Sequence, residues 1–443
     1  MALSCRLMAQ DPEAFLLAQE PGDRTLAPPA ETPRLAPARP AEAEPVVVVA
    51  PMKREEVEVK GLKSVAGFTN QRFGYVLHGR VQAQYDSNIF IQSTGEQSDF
   101  IFTITPGVAI GLGDFKDQLA SADSFRYRFE RYADKNFLYL DYAPSFVAFA
   151  DHSGQDSFDQ DLRLHGEYTF QKLTVGLRAG WQRVNAPSAD IGSRVENSHV
   201  SAALTNRYEV SGKTGVEANF YYDNQQYDSN GGGAPKTANF VDSQEFRTEE
   251  WLNFRALPKT TASVGVAAGQ VERSEGPSET YEQVQFRLLW EASSKLTLSA
   301  VAGPELRQIH GHGNEVNGVF ALHATWAPTE RAYYHVQTYR DVQPSGAVGE
   351  DFTATGVKLQ YHQRLLERYF FDLSGGYERA DYSGSAGDGT RHDDFWSART
   401  AVGLGLTRWL TAEVAGEYRN NSSSDADRSF EETRATLVFD VLF

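Results

Sequence analysis

What most constrains this chain is a two-residue alternation that persists over hundreds of residues, broken by connections that are short and long by turns. In "KLTVGLRAGWQR", Leu173, Val175, Leu177, Ala179 and Trp181 share one face, opposite Thr174, Gly176, Arg178, Gly180 and Gln182. In "GVEANFYYD", Val216, Ala218, Phe220 and Tyr222 oppose Glu217, Asn219, Tyr221 and Asp223. "TAEVAGEYR" repeats the theme, with Ala412, Val414, Gly416 and Tyr418 set against Thr411, Glu413, Ala415 and Glu417. A period of two is the signature of strands with one apolar and one polar face.

The connections decide what those strands build. Tight turns read "TFQKL" (169–173), "VSGKT" (210–214), "LPKT" (257–260), "SSK" (293–295), "APTER" (327–331), "LLERY" (365–369) and "TRWL" (407–410). Between them come longer polar loops, among them "NAPSADIGSRVEN", "RSEGPSE", "HGHGNE", "QPSGAVGED", "SGSAGDGTRHDD" and "NNSSSDAD". Short connections on one rim and long ones on the other are what a membrane-spanning barrel shows. The reading is all-β: a transmembrane antiparallel up-and-down barrel of about 18 strands (16–20) over residues 67–443. One segment departs from the rule: "GDFKDQLASADSFRYRFERYADK" (113–135) stands where a tight turn belongs, either extending the flanking strands or forming a small helix.

Composition agrees with this reading. A chain of 443 residues is too long for one soluble core, but a barrel makes a single domain of that size reasonable. No run of 18 apolar residues exists for a membrane helix, whereas alternating strands average to the modest mean hydropathy of -0.46. Aromatics supply 12% of residues and are expected to gather at both rims, Trp290, Trp326 and Trp409 beside tight turns and Trp181 and Trp396 toward the long loops. The single Cys5 excludes a disulfide framework and a cysteine zinc site. A net charge of -17 argues against nucleic acid as a partner.

Residues 1–66 differ in kind. Nine of the 18 prolines fall at or before Pro51, and a segment this poor in apolar residues is expected to be disordered, with "MALSCRLMAQ" as the remnant of a signal peptide. At the other end, "TLVFDVLF" (436–443) is an alternating strand. It resembles the C-terminal signal that bacterial outer-membrane barrels present to their assembly machinery. By that resemblance Leu437, Phe439, Val441 and Phe443 face lipid and the assembly factor.

A wider resemblance rests on "YDSNIF" (85–90), "SDFIFTITPGVAI" (98–110) and "LDYAPSFVAFADHSGQDSFDQDLRLHGEYTFQKLTVGL" (140–177). These segments resemble the beta-barrel porin family of Gram-negative outer membranes, some of whose members accompany exopolysaccharide production genes. The match fades beyond about residue 230, and the segment near 115–134 departs from it. The resemblance implies an outer-membrane location and no catalytic residue.

In a barrel the polar phase lines the lumen. On that phase stand the cations Arg80, Arg163, Arg178, Arg207, Arg287, Lys358, Arg399 and Arg434. The anions are Glu167, Glu217, Asp223, Asp372, Glu378, Glu413, Glu417, Glu432 and Asp440. Mixed charges in a wet interior point to cross-strand pairing and a transverse field, as in a general diffusion pore. A constriction requires a loop folded inward, and 227–243, with three consecutive glycines, is the longest candidate, although it equally suits a surface loop. There is no G-x-S-x-G elbow, no H-E-x-x-H and no phosphate-cradling glycine loop. His310 and His312 read as loop histidines, so neither enzyme activity, nor a metal, nor a cofactor is expected. Expected partners are outer-membrane lipid, the barrel-assembly machinery, and small hydrophilic solutes or polysaccharide; oligomeric state is not readable. The expected function is a passive or weakly selective porin, the alternative a non-conducting scaffold or exopolysaccharide-export component.

Overall fold

The computed structural model describes residues 73–113, 115, 136–228, 240–311, 313–329, 331–346, 350–366, 368–384 and 391–443. The 1–66 segment, most of the 113–135 connection, the middle of the 227–243 loop and His312 lie outside the described residues.

Among the described residues, nineteen strands form one antiparallel sheet that closes on itself. They are β1 (Phe73–Asp86), β2 (Asp99–Gly113), β3 (Phe137–Tyr142), β4 (Ser145–Phe149), β5 (Ser157–Thr169), β6 (Leu173–Ser188), β7 (Ser193–Glu209), β8 (Thr214–Asp228), β9 (Ser243–Leu257) and β10 (Thr260–Arg273). There follow β11 (Glu279–Ser293), β12 (Leu296–Ile309), β13 (Gly313–Thr329), β14 (Ala332–Pro344), β15 (Glu350–Leu365), β16 (Tyr369–Gly384), β17 (His392–Gly405), β18 (Leu410–Ser423) and β19 (Phe430–Leu442). β3 and β4 are two halves of one stave, broken at Ala143 and Pro144, since both lie between β2 and β5. The wall therefore has eighteen staves. Proline cannot donate to the ladder, which is why the break falls there. The seam joins β1 to β19, from His78 opposite Leu442 to Asp86 opposite Arg434.

Each of the seven tight turns read from the sequence is a tight strand-to-strand turn. The long connections are partly absorbed into strands, most of which run 13 to 17 residues, longer than the roughly 9–11 that hydrocarbon requires. "NAPSADIGSRVEN" reads as a loop in the sequence, but β6 and β7 consume all of it except residues 189–192.

The two faces are inverted relative to a soluble globule. Fifty large apolar side chains stand exposed among the described residues, Phe286 and Val414 each by 61%. On the opposite face Glu249 is 0% and Arg419 1% exposed. Leaving one such apolar side chain in water costs on the order of 1.5–3 kcal/mol, so this surface requires hydrocarbon. A sheet in hydrocarbon must pair every amide, and closure accomplishes that. Outward aromatics mark the edges of the belt. Trp290, Trp326 and Trp409 stand near the tight turns, with Trp409 stacked on Phe443 at 5.2 Å. Trp396 pairs with Tyr377 at 4.3 Å farther up the wall. The chain is an outer-membrane-type β-barrel, the architecture implied by the porin resemblance.

Candidate functional site

Staves spaced about 4.8 Å apart and tilted about 40° enclose a cylinder on the order of 35 Å across, backbone to backbone. The lining of that cylinder is built in layers. Trp251 on β9 lies against Gly265 of β10, Tyr281 on β11 against Gly269, and Tyr339 on β14 against Gly356 of β15. A side chain at any of these glycines would collide with the ring, so glycine lets each ring lie flat along the wall. Over the rings lie cations: Arg287 sits 4.3 Å from the Trp251 centroid, Arg307 4.9 Å from Tyr281 and the Lys358 ammonium 4.8 Å from Tyr339. The ring tips donate to acids, Tyr281 to Glu245, Tyr339 to Glu378, and the Trp251 indole to Glu249 at 3.3 Å.

All seventeen charged residues assigned to the polar phase lie on the inner face, opposite the exposed apolar side chains. Arg287 donates to Glu217 at 2.9 Å and to Asn253 at 2.6 Å. Arg434 sits among Asp86 at 3.2 Å, Glu432 at 2.9 Å and Glu417 at 3.9 Å. Arg80 meets Asp440 across the seam at 2.7 Å, and Arg399 meets Glu413. Asp372 contacts His362 at 2.6 Å, and Asp223 contacts His199. Arg163 pairs with Asp161, Arg178 reaches His165 at 3.3 Å, and Arg207 lies 3.8 Å from Glu209. Glu167 faces inward opposite Phe137.

Sequence reasoning misses part of the lining. Arg273 and Arg307 clamp Glu279 at 2.8 and 2.7 Å, with Glu305 2.9 Å from Arg307 and Asp351 on Arg273. Arg419 donates to Glu432 at 2.7 Å, and Arg247 pairs with Glu249. Arg419, Arg247 and Glu249 sit on the same alternating phase as the seventeen, so the signal is present. Arg273 and Glu279 border "RSEGPSE", which reads as loop.

The mouth holds the largest departure from expectation. From Ala186 to Val195 the inside/outside alternation fails: Ala186, Pro187, Ser188, Ile191, Arg194 and Val195 are all buried. The tip of the β6–β7 hairpin has left the wall and turned over the lumen. Its Asp190 carboxylate accepts from the Ser345 hydroxyl and the Gly346 N–H, both at 2.7 Å. The Asp190 carbonyl accepts from Arg428 at 2.6 Å and Arg391 at 3.2 Å. With β3 and β4 counted as one, β6 is the fifth stave, whereas Ser345 follows the thirteenth and Arg391 precedes the sixteenth. The contacts therefore join opposite arcs of the cylinder. From a third direction Ile91, in the connection after β1, packs on Phe395, Phe430 and Ala189. Val241 donates its N–H to the Gly346 carbonyl at 2.9 Å. Burial works against the Arg391 charge, but Tyr382, Asp393 and Asp190 hold its guanidinium protonated above the ordinary range. The bridge thus rests on a guanidinium held charged and donating to a backbone carbonyl.

The sequence matches no protein-family model and no curated protein. Among solved structures it is similar to OpdK of Pseudomonas aeruginosa with vanillate, at 9% identity over 83% of this chain and 99% of that chain, TM-score 0.44. It is also similar to OccK2 (OpdF) of Pseudomonas aeruginosa in complex with glucuronate, at 10% identity over 84% of this chain and 98% of that one, TM-score 0.43. A third likeness is to the siderophore receptor PirA of Pseudomonas aeruginosa, at 11% identity over 83% and 80%, TM-score 0.37. The functional reading rests on this chain's own residues.

Proposed function

We propose that this protein is an outer-membrane channel through which small hydrophilic solutes diffuse, passively or with weak selectivity. One observation carries the reading: seventeen charged residues of both signs line the inside of an eighteen-stave cylinder whose outside is apolar. Wall side chains reach inward only about 6 Å from each side, so a cylinder of this strand number leaves an aqueous passage between them. Opposed charges across the passage orient dipolar solutes and let both ions through. Among the described residues, the Asp190 hairpin is the element held across the route, and it sets the size limit in this reading.

Purified protein in a planar bilayer is expected to give discrete conductance steps that scale with salt. Their persistent absence at micromolar protein, with the barrel shown to be folded by its heat-modifiable electrophoretic shift, would overturn the proposal. We further propose that Leu437, Phe439, Val441 and Phe443 present the assembly signal: Leu437, Phe439 and Phe443 are outward and exposed, and Val441 shares their face. No observation among the described residues favours the scaffold or polysaccharide-export alternative.

A further inference from the structure

The tight turns share a residue type that the wall does not require. Each of the seven carries an exposed cation: Lys172, Lys213, Lys259, Lys295, Arg331, Arg368 and Arg408. None of these pairs with a carboxylate among the described residues, and the Lys295 ammonium donates to the Pro328 carbonyl of the adjacent turn at 2.6 Å. Acids enter two of the turns in the sequence, Glu330 and Glu367. The opposite rim has the opposite sign. Its connections "SGSAGDGTRHDD" and "NNSSSDAD" hold five acids and one cation, in a chain of net charge -17. Solubility alone would be served as well by acids at both rims, so the cations of the tight turns call for another cause.

A second feature recurs beside each charge. Large apolar side chains stand exposed on the same turns: Phe170 with Lys172, Val210 with Lys213, Leu257 with Lys259, Leu366 with Arg368 and Trp409 with Arg408. Leu257 is 63% and Leu366 80% exposed. At the other two turns, the exposed Trp290 and Trp326 stand five residues before Lys295 and Arg331. We propose that this rim is a binding surface for anionic phospholipids of the leaflet around it, with the phosphates on the cations and the apolar side chains in the acyl boundary. A cationic stem can lie along apolar surface while its head reaches a phosphate. Consecutive turns are two staves apart, about 12 Å along the rim, so the cations form an arc rather than one pocket. An ion entering the lumen has no use for an apolar side chain beside each charge; a lipid uses both.

This surface rests on the outer wall lying in lipid, as the proposed channel does; a barrel that conducts but shows no preference among lipids would overturn the surface and leave the channel intact. The test uses the full chain in detergent micelles doped with equal amounts of phosphatidylglycerol and phosphatidylcholine, read by native mass spectrometry. Phosphatidylglycerol is expected to be retained at least fourfold over phosphatidylcholine. The preference is expected to fall below twofold when Lys172→Gln, Lys213→Gln, Lys259→Gln and Lys295→Gln are combined, and to persist when the same four are changed to Arg. Arg183→Gln with Arg379→Gln, at two exposed cations toward the opposite rim, is expected to leave it unchanged, with every variant still heat-modifiable. In liposomes, phosphatidylglycerol is expected to raise the temperature of the heat-modifiable shift, and salt at about 1 M to abolish that rise. Equal retention of the two lipids, an unchanged preference in the four-Gln variant, or an equal loss in the Arg183 and Arg379 variant would each overturn the proposal. So would the same stabilisation by inorganic phosphate in phosphatidylcholine alone, or an acidic polypeptide held by the four lysines in place of lipid.

Discussion

Trp251, Tyr281 and Tyr339 show how single residues set the bore. Each ring spends its area on a neighbouring glycine and its edge on an acid, so an aromatic that would otherwise project inward lies along the wall. Gly269→Val fills the space under Tyr281 and dislodges its contacts with Glu245 and Arg307; the expected loss is about 1–3 kcal/mol, visible as a lower temperature for the heat-modifiable shift. Gly416, outward on β18, has open space where a methyl group would stand, with no neighbouring atom within 4 Å. Gly416→Ala is therefore expected to change stability by less than about 0.5 kcal/mol. Arg287→Met leaves Glu217 and Asn253 without their cation. Reversal potentials in a potassium chloride gradient are expected to move toward cation selectivity, with a stability loss of about 1–3 kcal/mol from a Glu217 carboxylate left with the Asn253 amide as its donor.

At the level of elements, the hairpin joining β6 to β7 behaves unlike its neighbours. Asp190→Ala removes the acceptors that tie Ser345 and Gly346 to the tip. The expected outcome is a larger and noisier unitary conductance with unchanged thermal stability of the wall; an identical step size would exclude the hairpin as the narrow point. This element also marks the limit of what the sequence discloses. Most staves are legible because hydrocarbon outside and water inside impose opposite preferences on consecutive residues, as in Leu173 to Gln182, whereas the break of one stave at Ala143 and Pro144 is not. The seventeen wall charges are legible for the same reason. The hairpin tip is not: with both faces buried, "APSADIGS" carries no alternation, and its polar residues match those of any exposed loop. Which charges pair is equally hidden, since Arg399 takes Glu413 rather than its register partner Glu417. That choice depends on side-chain reach across the curved wall.

For the whole molecule, the exterior dictates handling. Extraction is expected to require detergent, and diluting the detergent below its micelle threshold is expected to precipitate the protein; a freely soluble, monodisperse species would contradict the fold's inverted polarity. One further consequence follows from the seam, where β1 meets β19 and the Phe443 N–H reaches the Leu77 carbonyl at 2.8 Å. β1 and β19 are the pair that shuts the cylinder, so the sheet has no closed form without both. Until the final stave arrives, the polypeptide is a ribbon with two raw margins of unpaired amides, able to stick to any other ribbon it meets. Keeping those margins from other ribbons until β19 docks on β1 is a demand that the closed topology makes.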